Sequence, residues 1–324
     1  MSMKNRFNIR FSVARRFLTV AFVVAGLVLW AGSGAVRADV ETSFLYTLSN
    51  FSGPVPYNWG RVFYDKERNE SYVLYQNTFR VFNASGMEIY RFGEDVDLGL
   101  AVDAAVDREG NILVLAYRGS AFQIVRCNFR GEPGAKIGLK NLPGEFSGFS
   151  PNRLVYRDGK IYLAALSQMK IVIATADGAF QNGYAMAALL DLSEKERRSA
   201  EMAGFSVDRE GNILFTIPVL FKAFKLSIDQ KITAFGKPGS APGLFSVVSG
   251  IVADSRGNYL VADKIKSTVM VFDSEFNFLT EFGYRGAAPQ NLIRPESLAI
   301  DGQDRVYVTQ GAKRGVNVYR MIYK

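Results

Sequence analysis

The octapeptide VDREGNIL occurs twice in this chain, at Val106–Leu113 and again at Val207–Leu214. A catalytic site uses each of its groups once, whereas a fold built from repeated units uses the same local sequence in several units. The duplication therefore predicts a repeat architecture, and it constrains the fold more than any other feature of the sequence.

Six segments of the chain share the pattern of the octapeptide, which is a turn followed at once by an alternating apolar stretch. They begin at Tyr64, Val106, Val155, Val207, Ala253 and Ile300. The turn position that is Gly in the octapeptide is Arg68, Gly110, Gly159, Gly211, Gly257 and Asp304, so the successive gaps are 42, 49, 52, 46 and 47 residues. A period in the forties without a helical pattern is typical of β-propeller blades.

The first turn of each repeat has the residues of a hairpin corner. An Asp at the start of a tight turn accepts hydrogen bonds from backbone N–H groups further along it, and a Gly supplies the left-handed conformation. The residues expected to have this structural role, rather than a catalytic or metal-binding one, are Asp107, Gly110, Asp208, Gly211, Asp254 and Gly257.

The fifth repeat contains four strand-like stretches, whereas the sixth contains three before the chain ends. The missing strand is expected near the N-terminus, where SFLYTLSNFSGP (Ser43–Pro54) resembles the fourth strand of the fifth repeat. We therefore predict an all-β fold, a six-bladed β-propeller whose N-terminal strand closes the last blade. One short helix is predicted in an interblade loop, within Leu190–Gly204, where Ser193 and Glu196 form a capping box.

Residues 1–38 have the composition of an export signal. Basic residues precede the apolar run Phe17–Trp30, and Val36-Arg37-Ala38 fits a cleavage point after Ala38. A membrane-spanning helix needs about 20 apolar residues, which favours a signal peptide over the alternative of a retained anchor. The predicted organisation is a signal peptide at 1–38 and a single propeller domain at 39–324. The protein is expected in the periplasm or outside the cell, as a monomer that meets the membrane only through an uncleaved N-terminal segment in the inner membrane.

The charge of the exported part argues against nucleic-acid binding. The chain has 39 Lys and Arg and 31 Asp and Glu, but residues 1–38 hold six of the basic residues and none of the acidic ones. The remainder has 39 − 6 = 33 basic and 31 acidic residues, a net charge of +2, unlike a strongly basic nucleic-acid-binding domain. Cys127 is the single cysteine, which excludes an intramolecular disulfide, and its strand-like context predicts a buried apolar side chain.

The segment IVADSRGNYLVADKIKSTVMVFD (Ile251–Asp273) is similar to the NHL repeat, which pairs a D-x-x-G-N corner with V-A-D, a short loop and V-x-V-F-D. The second and fourth repeats match less closely, the sixth matches in part, and the first and third are degenerate. The family pattern has an Arg before the third strand; Arg314 fits it with one residue inserted, whereas the fifth repeat has Thr268. The resemblance covers nearly all of residues 43–324 and implies an NHL-like propeller, in a family of binding modules, sensors and a few enzymes.

The sequence lacks the groups of the common catalytic sites. It contains no His, which excludes a Ser-His-Asp triad, a His general base and the His on which the lyases that resemble this family depend. A zinc site of His and Cys is excluded too, so neither enzymatic activity nor a cofactor is expected. The alternative is a lactonase-like hydrolase or lyase that uses a carboxylate-bound Ca²⁺, with candidate ligands at strand starts such as Asp103 and Glu296.

Cations recur in the loops at the end of the ring opposite the corners. Those in the loops between second and third strands are Arg118, Lys170, Lys222, Lys264, Lys266, Lys313 and Arg314, and the crossovers between blades add Arg153, Arg285 and Arg294. This basic rim predicts a binding or scaffolding module of the cell envelope, for a protein or an anionic polymer. The alternative is that these are ordinary solubilising residues. The apolar stretch Phe215–Phe224 in the same set of loops is either a buried crossover or an exposed contact patch.

Overall fold

The computed structural model describes Val40–Lys324 as six four-stranded antiparallel sheets and one two-stranded hairpin. The first strands of successive sheets contact one another in a closed ring, which returns from the sixth sheet to the first. This is the predicted six-bladed propeller, with each sheet as one blade. The predicted signal segment lies outside the described residues. Within them, no helix has the length and apolar character needed to cross a membrane.

Each blade runs from an innermost first strand to an outermost fourth strand. Strand β1 (Val40–Thr47) and the hairpin of β2 (Ser49–Asn50) and β3 (Gly53–Pro54) precede the first blade. Blade 1 contains β4 (Arg61–Asp65), β5 (Glu70–Tyr75), β6 (Thr78–Phe82) and β7 (Glu88–Phe92). Blade 2 contains β8 (Leu100–Val106), β9 (Ile112–Arg118), β10 (Ala121–Cys127) and β11 (Pro133–Ile137). Blade 3 contains β12 (Arg153–Arg157), β13 (Lys160–Ala165), β14 (Lys170–Thr175) and β15 (Phe180–Ala185).

The second half of the ring repeats this arrangement. Blade 4 contains β16 (Phe205–Val207), β17 (Ile213–Ile217), β18 (Lys222–Leu226) and β19 (Ile232–Phe235). Blade 5 contains β20 (Val248–Ala253), β21 (Tyr259–Asp263), β22 (Thr268–Phe272) and β23 (Phe278–Phe282). Blade 6 contains β24 (Leu298–Ile300), β25 (Arg305–Thr309) and β26 (Val316–Tyr323), and its fourth strand is β1.

The pairing of β1 with β26 closes the ring. The two strands are antiparallel, with Val40 opposite Tyr323 and Thr47 opposite Asn317, and a bulge falls between Phe44 and Tyr46. The last blade thus takes strands from both ends of the described chain, as predicted, and no blade is left with three strands. A missing fourth strand would leave the backbone groups of β26 unpaired at a sheet edge.

The core lies between the faces of neighbouring blades. All five residues of β17, β22 and β25 are buried, because these middle strands are covered on both faces. Between blades 3 and 4, Phe215 and Phe224 stack with ring centroids 4.9 Å apart in one apolar cluster that also contains Ile171. The outermost strands are less covered, and four of the five residues of β11 are exposed.

The crossover from blade 3 to blade 4 contains two short helices, α1 (Met186–Leu189) and α2 (Glu194–Ser199). The sequence predicted one helix in this crossover, and α2 is that helix. Ser193 is its N-cap, and the Ser193 and Glu196 side chains form the predicted capping box. The preceding helix α1 has no side-chain cap, so the sequence carries no N-cap signal for it.

The connections define two faces of the ring. The corner face carries the turn between the first and second strands of each blade. The loop face carries the loops between second and third strands, and the innermost strands begin there. The two faces are the two ends of the central channel.

Candidate binding site

The corner aspartates cap the turns that they begin. Asp107 Oδ1 accepts hydrogen bonds from the backbone N–H groups of Glu109 at 3.0 Å and Asn111 at 2.8 Å. Asp208 and Asp254 accept the equivalent pair in their own turns. The glycines of these turns, Gly110, Gly211 and Gly257, have φ between 78° and 86°, where a side chain would strain the backbone. The cap oxygens are therefore engaged by the protein's own turns.

A cavity of about 550 Å³ fills the central channel on the corner-face side. Its wall is made of the innermost strands of the blades, and it extends from Arg61 and Asp103 to the corners, where exposed residues such as Arg108 and Arg209 border its mouth. Within Val40–Lys324, each innermost strand is the edge strand of its sheet, so backbone donors and acceptors along one edge have no strand partner. This volume falls in the usual range of small-molecule sites, about 300–1,000 Å³.

An ion pair between neighbouring blades lies in the wall of the cavity at the strand starts. Arg61 Nε and Nη2 donate to the two carboxylate oxygens of Asp103, each at 3.2 Å, and Arg61 Nη1 donates to Ser297 Oγ at 2.8 Å. Asp103 Oδ2 also accepts a hydrogen bond from the backbone N–H of Leu154 at 2.9 Å. Asp103 is 3% exposed, so both of its oxygens are used within the protein.

A second group of charges lies beside this ion pair on the loop-face side. The Lys264 ammonium lies 2.5 Å from a carboxylate oxygen of Glu296. Burial, together with the charge of neighbouring Arg61, lowers the pKa of Arg153 to about 10. The space bordered by Arg61, Arg153 and Glu296 is only about 10 Å³, which is room for about one water molecule.

These residues do not fit the Ca²⁺ site that the sequence left open. Ca²⁺ needs about six to eight oxygen ligands, but the Asp103 oxygens are engaged by Arg61 and the Glu296 carboxylate by Lys264. The Arg153 and Arg61 guanidinium groups border the same space, and a cation there would be repelled. Within Val40–Lys324 there is no group of three or more His, Cys, Asp or Glu that could hold a metal ion.

Four cations border the mouth of the cavity at the corner face. They occupy the second position of the corner in four consecutive blades and are Lys66, Arg108, Arg157 and Arg209. The third corner position is acidic in the same four blades, but only Glu67 and Asp158 of those acidic residues line the cavity. We call these four cations the mouth ring.

Other cations neutralise most of the cap carboxylates that line the cavity. Arg68 pairs with Asp65 at 2.9 Å, Arg126 with Asp107 at 3.3 Å and Arg305 with Asp301 at 2.5 Å. The fourth such carboxylate, Asp208, accepts its hydrogen bonds from Glu210 and Asn212. The caps therefore do not use the charges of the mouth ring.

The arginines of the mouth ring have no partner among the described residues. No ion pair or side-chain hydrogen bond joins the guanidinium groups of Arg108, Arg157 or Arg209 to Val40–Lys324, and Arg157 Nε is buried without a hydrogen-bond partner. Blade 3 has Tyr156 where the other corners have the capping Asp, which explains why no cap carboxylate faces Arg157. The predicted role of each corner rested on its Asp and Gly alone. The second position of the same alignment was the signal that marks the mouth ring.

Most of the predicted basic rim makes contacts within the protein. Arg118 pairs with Asp97 at 2.8 Å, and the Lys170 ammonium donates to the Glu145 carbonyl at 2.6 Å. Lys266 pairs with Glu281 at 3.2 Å.

The remaining rim residues divide into contacting and free side chains. Arg314 donates to the carbonyls of Ala287 and Ala288, and Lys264 is bound to Glu296 as described. Lys222 and Lys313 are exposed, and neither forms an ion pair within the described part of the chain. The structure thus leaves two of the seven predicted side chains free on the loop face.

The apolar stretch Phe215–Phe224 is buried at both ends and exposed at its tip. Phe215, Ile217 and Phe224 are buried. Val219, in the middle of the 3₁₀ turn Pro218–Leu220, and Phe221, which follows this turn, have exposures of 45% and 37%. The two alternatives from the sequence are thus both represented. The stretch is core at its ends and a small apolar surface beside Lys222.

Comparison with known proteins shows the fold and not the activity. No protein-family model and no curated protein matches the chain. Among solved structures, a streptogramin B lyase is similar with a TM-score of 0.59 and 12% identity, over 90% of this chain and 100% of the other. A gluconolactonase from Xanthomonas campestris has a TM-score of 0.56 and 14% identity, over 90% and 93% of the two chains. A protein of unknown function from Bacteroides thetaiotaomicron has a TM-score of 0.62 and 13% identity, over 88% and 76%.

Proposed function

We propose that this chain is an exported propeller that binds an anionic ligand and does not act as a Ca²⁺-dependent hydrolase or lyase. The observation that carries the proposal is which charged side chains of the channel have partners within the protein. The carboxylates at the strand starts, Asp103 and Glu296, are engaged by Arg61 and Lys264. In contrast, the arginines of the mouth ring are not engaged by any described residue. A channel whose carboxylates at the strand starts are paired and whose mouth carries free guanidinium groups is suited to anions.

The lyase and gluconolactonase neighbours support the enzymatic alternative through their fold only. That alternative needs free carboxylates at the strand starts, where this chain has the Arg61–Asp103 ion pair. The D-x-x-G-N corners support an NHL-like assignment of the repeat, which we keep as part of the proposal.

Thermal unfolding in the presence of ligands separates the two functions. We expect CaCl₂ and chelator to leave the melting temperature unchanged, and we expect a polyanion such as citrate or pyrophosphate to raise it. A ligand at a hundred times its Kd stabilises by about 2.7 kcal/mol, which corresponds to a rise of about 5 °C for a domain of this size. A rise with millimolar Ca²⁺, together with Ca²⁺-dependent hydrolysis of a lactone, would establish the enzymatic alternative instead.

A second candidate function is docking of a protein or an anionic polymer on the loop face. The observation that favours it is the exposed apolar tip of Val219 and Phe221 next to the free cation Lys222. We expect Lys222→Glu with Lys313→Glu to elute from immobilised heparin at lower salt than the unmodified protein. Lys136→Glu with Lys231→Glu, which makes the same charge change at exposed positions away from these loops, is the control. Equal elution of the two variants would contradict docking of a polyanion at this face.

Export rests on residues 1–38, which lie outside the described residues. Cell fractionation tests it: we expect antibodies against the propeller to find it in the envelope or outside the cell, with an N-terminus at Asp39 if the segment is cleaved. Recovery from the cytosol alone would exclude the export proposal without affecting the binding proposal.

A further inference from the structure

We propose that the cavity on the corner face binds a small organic polyanion, whose negative groups contact the mouth ring of Lys66, Arg108, Arg157 and Arg209. The inference rests on the proposed function, and it narrows that function to one end of the channel and one class of ligand. It also moves the binding site from the loop face, where the sequence placed it, to the opposite face.

The first support is the distribution of the cations around the mouth. The second corner position is basic in blades 1–4 but is Ser255 in blade 5 and Gly302 in blade 6. The cations therefore border the part of the mouth formed by blades 1–4, and blades 5 and 6 contribute no cation to the lining. This arrangement suits a molecule with two or more anionic groups at one end and a neutral remainder.

The second support is the buried Arg157 Nε, which has no hydrogen-bond partner. A buried donor without an acceptor destabilises the protein unless a ligand or a water molecule satisfies it. A carboxylate or phosphate oxygen in the cavity mouth is an acceptor of the right charge, and arginine binds such groups in a bidentate manner. Because the corner of blade 3 has Tyr156 instead of a capping Asp, no cap carboxylate competes for Arg157.

The third support is the size and the wall of the cavity. Its volume is about 550 Å³, with the Arg61–Asp103 ion pair in its wall at the strand starts, and this volume suits a small molecule. The wall includes the aromatic residues Phe63, Tyr64, Tyr156 and Phe205. These rings pack into the apolar clusters between blades, so the innermost strands present mainly their unpaired backbone edges to the polar atoms of the ligand.

Calorimetric titration with two probes, citrate and pyrophosphate, tests the site. We expect one or both to bind the unmodified protein. Arg157→Gln, and separately Arg108→Gln with Arg209→Gln, should weaken binding by about tenfold to a hundredfold, as expected for the loss of hydrogen bonds to a charged group. Arg256→Gln is the matched control, because Arg256 lies in the corner of blade 5 but stacks on Tyr323 at 4.3 Å from the ring centroid and does not line the cavity. Its affinity should equal that of the unmodified protein.

The outcomes separate this inference from the proposed function. If the probes bind and Arg153→Gln weakens them while the mouth-ring variants do not, the inference is wrong and the anion site lies at the strand starts. If every variant binds as the unmodified protein does, the inference is wrong again. If neither probe binds the folded, unmodified protein at millimolar concentration, the proposed function and the inference both fail. Circular dichroism of each variant confirms that the propeller has folded.

Discussion

Asp208 begins the corner of blade 4. It is only 7% exposed, and its carboxylate accepts three hydrogen bonds. Two come from the backbone N–H groups of Glu210 and Asn212, and one comes from Asn212 Nδ2. We expect Asp208→Ala to lower the free energy of unfolding by about 2–4 kcal/mol, because buried donors lose their acceptor. Asp208→Asn keeps one acceptor oxygen and should cost less.

Urea unfolding measures this effect, with Asp229→Ala as the control. Asp229 lies in the exposed turn between β18 and β19, where its carboxylate contacts Ser227, so its removal should change stability by less than about 0.5 kcal/mol. An Asp208→Ala variant as stable as the control would show that the corner does not depend on its cap.

Cys127 is fully buried in the core of blades 1 and 2, and burial raises the pKa of its thiol to about 11. A raised pKa in the folded state means that the native protein holds the thiol proton more tightly than the unfolded chain does. The resulting stability is present below the ordinary thiol pKa and is lost as the pH rises through 11. Between pH 8 and pH 11 the free energy of unfolding of the unmodified protein should therefore fall further than that of the Cys127→Ala variant, by up to about 2 kcal/mol.

Urea midpoints of the two proteins across this pH range test the shift. The tyrosines also titrate in this range, but they are common to both proteins and cancel in the difference. At pH 8 the native thiol should not react with a thiol reagent until the protein unfolds. Rapid labelling of the native protein would contradict the burial of Cys127.

Among the elements, β1 is the strand whose removal measures how much the fourth strand of blade 6 contributes to stability. It pairs with β26 along its length, buries Val40 at 4% exposure and places Phe44 against Tyr319 with ring centroids 5.7 Å apart. Deleting residues 1–47 should lower the melting temperature by about 10 °C, which corresponds to about 6 kcal/mol, and should cause self-association through the free edge of β26. Deleting residues 1–39 retains β1 and is the control, which should melt as the full chain does and elute as a monomer in size-exclusion chromatography.

The elements also show which features of the molecule are visible in the sequence. Blades are predictable because each one repeats a turn whose Asp and Gly have local physical roles, and β1 is predictable because the sixth repeat lacks a strand. The ion pair of Arg61 and Asp103 joins two blades, and the bond from Arg61 to Ser297 joins positions 236 residues apart. Neither contact recurs from blade to blade, so neither has a periodic signal in the sequence. The sequence therefore could not predict that Arg61 engages the carboxylate of Asp103, which the Ca²⁺ alternative had counted as a ligand.

The partners of the loop-face cations were unpredictable for a similar reason. Lys266 contacts Glu281 of a neighbouring strand and the Leu244 carbonyl of the preceding crossover, and such contacts depend on how loops fold over one another. The mouth ring was predictable in principle, because it recurs at one position of the aligned corner.

At the scale of the whole molecule, the closed ring is what creates the cavity. The innermost strands contact one another from blade 1 to blade 6 and back to blade 1, and their edges face a channel only because the circle is complete. Blade 6 is the point of closure, since Val40 pairs with Tyr323 and Glu41 forms an ion pair with Lys324. The ends of the described chain are therefore close enough to be joined by a short hairpin loop.

Two circular permutants with Lys324 joined to Val40 test whether a blade shared by both chain ends stabilises the ring. Opening the chain between Asp229 and Gln230 makes β19 the first strand and β18 the last, so blade 4 becomes the shared blade. Opening it between Ala241 and Pro242, in the exposed crossover after β19, leaves every blade continuous and closes the ring by packing alone. We expect the first permutant to melt within a few degrees of the unmodified protein and the second to melt about 10 °C lower, because strand pairing no longer ties its first and last blades together. Equal melting temperatures would show that packing between blades closes the ring without the shared blade.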